Sequence, residues 1–217
     1  MGYIADARGW SPAGDDFDSL FPYYPTDVAL VDTFQRPDAP ALETVETGQA
    51  WSVVFGGIGI VANTAQINTD AGTSISIVDS GIANGSIESA WRFAGTSSGN
   101  GVVFRWLDAS NYLFTAIESS GGTLKLYKYD GGTLTALATV TGVALAGDTW
   151  HQVNVGLRGA VVTVSVNGVQ KINVTLSAAD QAKYGAATTI GLRTTLNGVR
   201  FGNLVVKRGF LALPTLA

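Results

Sequence analysis

The 217-residue chain contains no cysteine, which excludes disulfides and thiolate metal sites. Histidine occurs once, as His151, so any histidine-dependent triad would have to be built around that residue. Charge is sparse too. Only 14% of the residues are Asp, Glu, Lys or Arg, against about a quarter in an average soluble domain. Thr, Ser, Asn and Gly must cover the surface instead. The 13 basic and 17 acidic residues give a net charge of −4 and form no basic cluster, so binding to a nucleic-acid backbone is not expected. No apolar run approaches the ~18 residues of a membrane span. The opening MGYIADARGW has no basic stretch followed by an apolar one, so no secretory signal is expected.

Several catalytic patterns are missing as well. No Ser lies in a G-x-S-x-G elbow, and no G-x-x-x-x-G-K-[ST] loop is present to cradle phosphates. Glycosidases built on β-sandwiches place two or three acids alternately along one strand, which sets acid and nucleophile on one face. Here Glu43 and Glu46 fall in a loop, and Glu88 and Glu118 are isolated on separate strands. The chain reads as a non-enzyme.

What is present is β pattern. In GDTWHQVNVGLRGAVVTVSVNGVQ, residues 147–170, Val153, Val155 and Leu157 alternate with Gln152, Asn154 and Gly156, and Val162, Val164 and Val166 alternate with Thr163, Ser165 and Asn167. A period of two means one buried face and one wet face. Asn167-Gly168 supplies the positive φ angles of a type I′ hairpin turn. Similar runs start at Val28 and recur to Lys207, and 27 glycines supply turns between them. Four of these runs, Gly85–Ala94, Gly101–Leu107, Tyr112–Glu118 and Thr123–Tyr129, are joined by short Gly, Ser, Asn and Asp clusters and are expected to form an antiparallel meander. One helical turn is expected after Ser177, with Asp180 three residues on and Gly185 as its stop. The fold class is all-β: a two-sheet antiparallel jelly-roll sandwich over residues 28–210. Residues 1–27 form an irregular arm and residues 211–217 a short tail.

The arm has Pro12, Pro22 and Pro25 and no strand alternation, yet it carries Tyr3, Trp10, Phe17, Phe21, Tyr23 and Tyr24. Six exposed aromatic side chains form an apolar patch that needs covering, and the arm is read as docking on a partner. The single histidine, His151, starts the core-facing row with Val153 and Val155. It is read as a hydrogen-bonded structural residue.

The segments VDTFQRPD, GQAWSVV, TWHQVNV…VSVNG, LSAADQAKYG and GVRFGNLVVKR together resemble the laminin-G and concanavalin A-like jelly-roll family. The D-x-F-x-R opening, the G-x-x-W after it and the closing G-x-x-F-x-x-x-x-V strand resemble such domains on tailed-bacteriophage minor tail and virion proteins. The resemblance implies a structural virion protein. Its arm would anchor it to tail partners while the sandwich faces a host-surface glycan, with several copies in the particle. It would be made in the host cytoplasm and located in the virion. A head-decoration protein docked on the capsid is one alternative, and a carbohydrate-active enzyme or its binding module is another. No resident cofactor is expected. Calcium is the one candidate, because relatives pair an acid of the first strand with one in the last. Asp32 occupies the first position, and Asn203 stands in FGNL near the second without a carboxylate.

Strand parity also nominates a ligand face. If Ile87, Trp91 and Phe93 face the core, Arg92 looks outward. If Phe104 and Trp106 share a parity, Arg105 lies opposite them. If Leu124 and Leu126 face inward, Lys125, Tyr127 and Tyr129 face out. Arg92, Arg105, Tyr127 and Tyr129 are therefore expected to meet on one sheet face as a glycan site, where aromatic faces and planar polar groups are the chemistry that binds sugars.

Overall fold

The computed structural model describes residues 27–67, 72–93, 99–118, 122–195 and 199–209. The six arm aromatics and the tail lie outside these residues. Two antiparallel sheets face each other. One contains, from edge to edge, β13 (Val169–Thr175), β12 (Val161–Val166), β11 (His151–Arg158), β6 (Gly85–Phe93), β15 (Val199–Arg208), β4 (Thr64–Ile67) and β3 (Ile58–Val61). Here β1 (Val28–Asp32) also pairs with β15. The other runs β10 (Thr133–Val140), β9 (Thr123–Asp130), β8 (Asn111–Glu118), β7 (Asn100–Asp108), β14 (Thr189–Thr194), β5 (Ser74–Asp79) and β2 (Ser52–Phe55). This is the jelly-roll sandwich that the strand pattern predicts.

The core lies between the sheets, and strand alternation fills it. Ile87, Trp91 and Phe93 of β6 meet Val153, Val155 and Leu157 of β11 from one side, while Phe104, Leu113, Leu124 and Leu126 enter from the other. Each fully buried aliphatic or aromatic side chain contributes about 1.5–3 kcal/mol by leaving water. Asn167 and Gly168 both take positive φ, 49° and 76°, and close the β12–β13 hairpin as Val166 pairs with Val169. Val164 and Ser165 mark a bulge beyond it. His151 is 3% exposed. Its Nε2 lies 2.9 Å from the Ala146 carbonyl, and its ring stacks on Phe93, a structural placement.

The one described helix, α1 (Ala178–Tyr184), starts at Ser177, whose hydroxyl accepts from the Asp180 amide at 3.1 Å. Gly185 ends it with an ordinary right-handed φ of −65°, so the stop does not need a left-handed residue. Beneath the helix, Tyr184 is fully buried and donates its hydroxyl to the Tyr129 carbonyl.

The meander is shifted by one strand from the expectation. β6 pairs with β11 and β15 in the first sheet, and the consecutive hairpins are β7–β8–β9–β10. The chain thus changes sheets between Phe93 and Asn100. Alternation shows which face of β6 is buried, but both sheets bury one face against the same core, so alternation alone does not choose the sheet. β4, four residues long, pairs with β3.

Candidate functional site

The outer face of the seven-stranded sheet carries a second apolar cluster, separate from the core: Ile75, Val103, Trp106, Tyr112, Phe114, Ala116 and Tyr127, with Val54, Ile77 and Tyr129 against it. Its order comes from register. Tyr112 of β8 stands opposite Tyr129 of β9, and Phe114 opposite Tyr127. The first pair stacks at 5.1 Å with planes 4° apart, and Trp106 extends the row, 4.7 Å from Tyr112. The second pair stacks at 4.9 Å. Arg193 of β14 extends that row, with its guanidinium 4.8 Å from the Phe114 ring centre. Arg193 must cross β7 to get there, and its partner on that strand is Gly101, which leaves the path open. Such rungs are the cross-strand pairs that stabilise a sheet, and here they stand on the side away from the core.

A groove of about 430 Å³ opens beside the first rung. It is lined by Phe55, Gly56, Thr73, Ile75, Ala109, Tyr112, Tyr129 and Arg193, residues that come from both ends of the sheet. Its size falls in the range of small-molecule and cofactor pockets. Phe55 is 44% exposed at the groove, and Tyr129 is half-buried. Tyr112 is nearly buried; burial pushes its phenol up, and the neighbouring Arg193 pulls it back.

Farther along the same face, Glu118 meets Lys125 at 2.5 Å and accepts the Tyr127 hydroxyl. Burial alone would raise the Glu118 carboxyl, but Lys125 and Tyr127 outweigh it and hold the carboxyl below the usual range. Burial and Glu118 push the Tyr127 phenol up. Among the described residues, the cross-strand partner of Glu118 on β9 is Thr123, which is not an acid.

The structure brings together two of the four expected ligand residues. Tyr127 and Tyr129 lie on this face, as parity predicts. Arg92 does not, because β6 belongs to the other sheet; there Arg92 pairs with Asp148 at 2.8 Å. Arg105 does not either. It has a φ of 50° at a break in β7 register, and it is fully buried. Its guanidinium is directed to the Gly159 carbonyl at 2.5 Å and to Gln181 of α1. The extra residue of this bulge also reverses parity, so Phe104 enters the core while Trp106 emerges on the aromatic face. Sequence reading missed Trp106, Tyr112, Phe114, Phe55 and Arg193. Tyr112 and Phe114 carried a signal, since they alternate with Leu113, and Arg193 alternates with Ile190 and Leu192.

At the first calcium candidate the structure places a guanidinium beside the acid. The Asp32 carboxylate is fully buried and accepts from the Phe34 amide at 2.9 Å, Arg36 at 2.7 and 3.1 Å, and the Trp51 indole at 2.7 Å. The neighbouring cation is a guanidinium, and both carboxylate oxygens already have donors. Asn203 lies at a bulge in β15, and its buried Oδ1 has no donor. Among the described residues no group of three or more His, Cys, Asp or Glu could hold a metal.

Two antiparallel sheets packed in this way form the concanavalin A-like jelly-roll fold. The chain matches, over residues 8–207, the family model of the 3-keto-alpha-glucoside-1,2-lyase-like domain, and it belongs to that family. Its fold is similar to carbohydrate binding module CBM66 from Bacillus subtilis, with a TM-score of 0.60 and 16% identity over 71% of this chain and 92% of that one. Domain 4 of the arabinanase AbnA from Geobacillus stearothermophilus, solved with arabinotriose, gives 0.60 and 16% over 84% and 93%. The Bacillus licheniformis β-glucanase gives 0.60 and 10% over 86% and 100%. At these identities the likeness is one of fold. A search of curated proteins finds no match.

Proposed function

We propose that this domain is a non-catalytic carbohydrate-binding module that seats a glycan along the outer face of the seven-stranded sheet. The observation that carries the reading is the groove beside the Trp106–Tyr112–Tyr129 row. Exposed Phe55 and half-buried Tyr129 offer rigid apolar area to the C–H face of a sugar ring, and the Tyr129 phenol and Arg193 offer donors at its edge. A family named for glycoside chemistry and a neighbour solved with arabinotriose support the same chemistry. An enzymatic role, which the family's name raises, needs a base on this face. Glu118 is held below the usual carboxylate range by Lys125 and Tyr127, which makes it a weak one. The virion setting expected from the sequence has no support in the family match or the neighbours, so the proposal concerns the sandwich itself.

Calorimetric titration against levan, arabinan and mixed-linkage β-glucan tests the reading. Binding of at least one is expected. Tyr129→Ala and Phe55→Ala should each weaken it about tenfold, the loss of roughly 1.4 kcal/mol of contact. Silence of the wild type towards a broad glycan panel would remove the proposal, as would full affinity in both variants.

A further inference from the structure

We propose that the groove takes an acidic glycan and that Arg193 pairs with a sugar carboxylate in it, an inference that rests on the glycan-binding reading above. Of the described residues lining the groove, Arg193 alone is charged. Its guanidinium is pinned rather than free: it lies over the Phe114 ring, and Nη1 donates to the Gly99 carbonyl. Yet its Nε–H is buried without an acceptor. A buried donor on a cation calls for an acceptor from elsewhere.

The nearby acids are already engaged. Glu118 is held by Lys125 and Tyr127. Asp108, beside the groove residue Ala109, spends its oxygens on the Ser110 amide and the Asn111 side chain. Asp130, next to Tyr129, pairs with Lys183 and Lys128. On the aromatic face Lys125 is paired with Glu118, which leaves Arg193 as the charged group without a carboxylate partner among the described residues of the groove. A sugar hydroxyl both donates and accepts, whereas a carboxylate only accepts and carries the opposite charge. An orphaned guanidinium donor matches the second. Half-buried Tyr129 and exposed Phe55 line the same groove, which places apolar ring area where a sugar ring joined to that carboxylate would lie.

Titration of the full chain with oligogalacturonate and with its methyl ester separates charge from sugar shape, because esterification removes only the charge. The free acid should bind about tenfold tighter than the ester at low salt, and the gap should shrink at ~0.5 M salt. Arg193→Gln should close the gap. Arg193→Lys, which keeps charge but loses the planar fork, should retain part of it. Equal binding of acid and ester would overturn the inference, as would an unchanged gap in a folded Arg193→Gln protein. Should that variant fail to fold, the acid–ester comparison on the wild type and the Lys variant decides. A sulfated oligosaccharide that binds tighter than the uronate would overturn the carboxylate assignment. Binding only to neutral glycans would sink this inference and leave the module reading intact; binding to nothing would sink both.

Discussion

The Trp51 indole donates its Nε1–H to Asp32 at 2.7 Å, across nineteen positions of sequence, and joins the first strand to the segment before β2. Arg36 completes the carboxylate's coordination, so the D-x-F-x-R and G-x-x-W segments meet at one buried acid. Asp32→Ala leaves the Arg36 charge and the Trp51 donor without their acceptor. Equilibrium urea unfolding should show a loss of about 3–5 kcal/mol. Trp51→Phe keeps a ring and removes one hydrogen bond, and it should cost about 1–3 kcal/mol in the same measurement. Because guanidinium and indole fill this carboxylate's shell, added calcium should leave the thermal midpoint of the wild type unmoved. A calcium-dependent rise abolished by Asp32→Asn would show that the ion displaces Arg36.

Glu88 and Lys207 form an ion pair at 2.8 Å with both side chains nearly buried, and Asn154 adds a weak bond at 3.3 Å. Breaking such a pair from one side costs more than replacing it whole, since the remaining charge is left unpaired. Glu88→Leu alone and Lys207→Met alone should each destabilise by about 3–5 kcal/mol, and the double variant by clearly less than either. A double-mutant cycle in urea checks this. Additive losses would mean that the two groups do not depend on each other.

The sandwich was legible in the sequence because each face imposes its own period. Val153, Val155 and Leu157 face the core as their spacing dictates, and Asn167-Gly168 closes its hairpin. Half of the candidate site was legible for the same reason: Tyr127 and Tyr129 share a parity that the structure keeps. The other half was not. Alternation presumes unbroken pleating, and the bulge at Arg105 inserts one residue relative to β14. That insertion exchanges the faces of the residues beyond it and places Trp106 where Arg105 was expected. Nor does alternation say which sheet a strand joins, so Arg92 was placed with the wrong neighbours. The partners of Asp32 were not legible either: Arg36, four residues away, and Trp51 fill its shell, and nothing in the residue types distinguishes a guanidinium shell from an ionic one.

A charged strap ties α1 to the β8–β9 end of the sandwich. Lys128 meets Asp180 at 2.7 Å, and Lys183 meets Asp130 at 2.6 Å. Burial would raise Asp180, but Lys128 and Ser177 outweigh it and its carboxyl lies below the usual value. Lys183 lowers Asp130 in the same direction, and Lys128 and Lys183 are raised by these partners. For the depressed carboxylates, the contribution is full above the unfolded value near ~4 and is lost as pH falls through the still lower folded values. For the raised lysines it is full below ~10.4 and lost as pH climbs through the folded values. The protection factors of the α1 amides, their exchange rates divided into the intrinsic rate at each pH, should therefore be highest on a plateau between about pH 5 and 9 and fall on both sides of it. Asp180→Asn should speed exchange at pH 7 and match the wild type near pH 2. Equal protection of wild type and variant at pH 7 would mean that the strap contributes nothing.

Gly101 is the position on the aromatic face least able to accept a side chain. A Cβ there would lie 1.7 Å from the Thr115 carbonyl oxygen, within the β7–β8 pairing of Gly101 with Ala116. The same glycine stands opposite Arg193, which crosses β7 beside it to reach Phe114. Gly101→Ala must then push β8 away from β7 or break their ladder. The expected loss is about 1–3 kcal/mol, the usual range for overpacking a close contact. The displacement also separates Arg193 from Phe114, so glycan affinity should fall further than in a variant of equal instability made in the core, such as Val155→Ala. Measuring urea midpoints and glycan titrations on both variants separates the two effects. If the two lose affinity in proportion to stability alone, Gly101 serves only the packing of the sheet and has no part in shaping the groove.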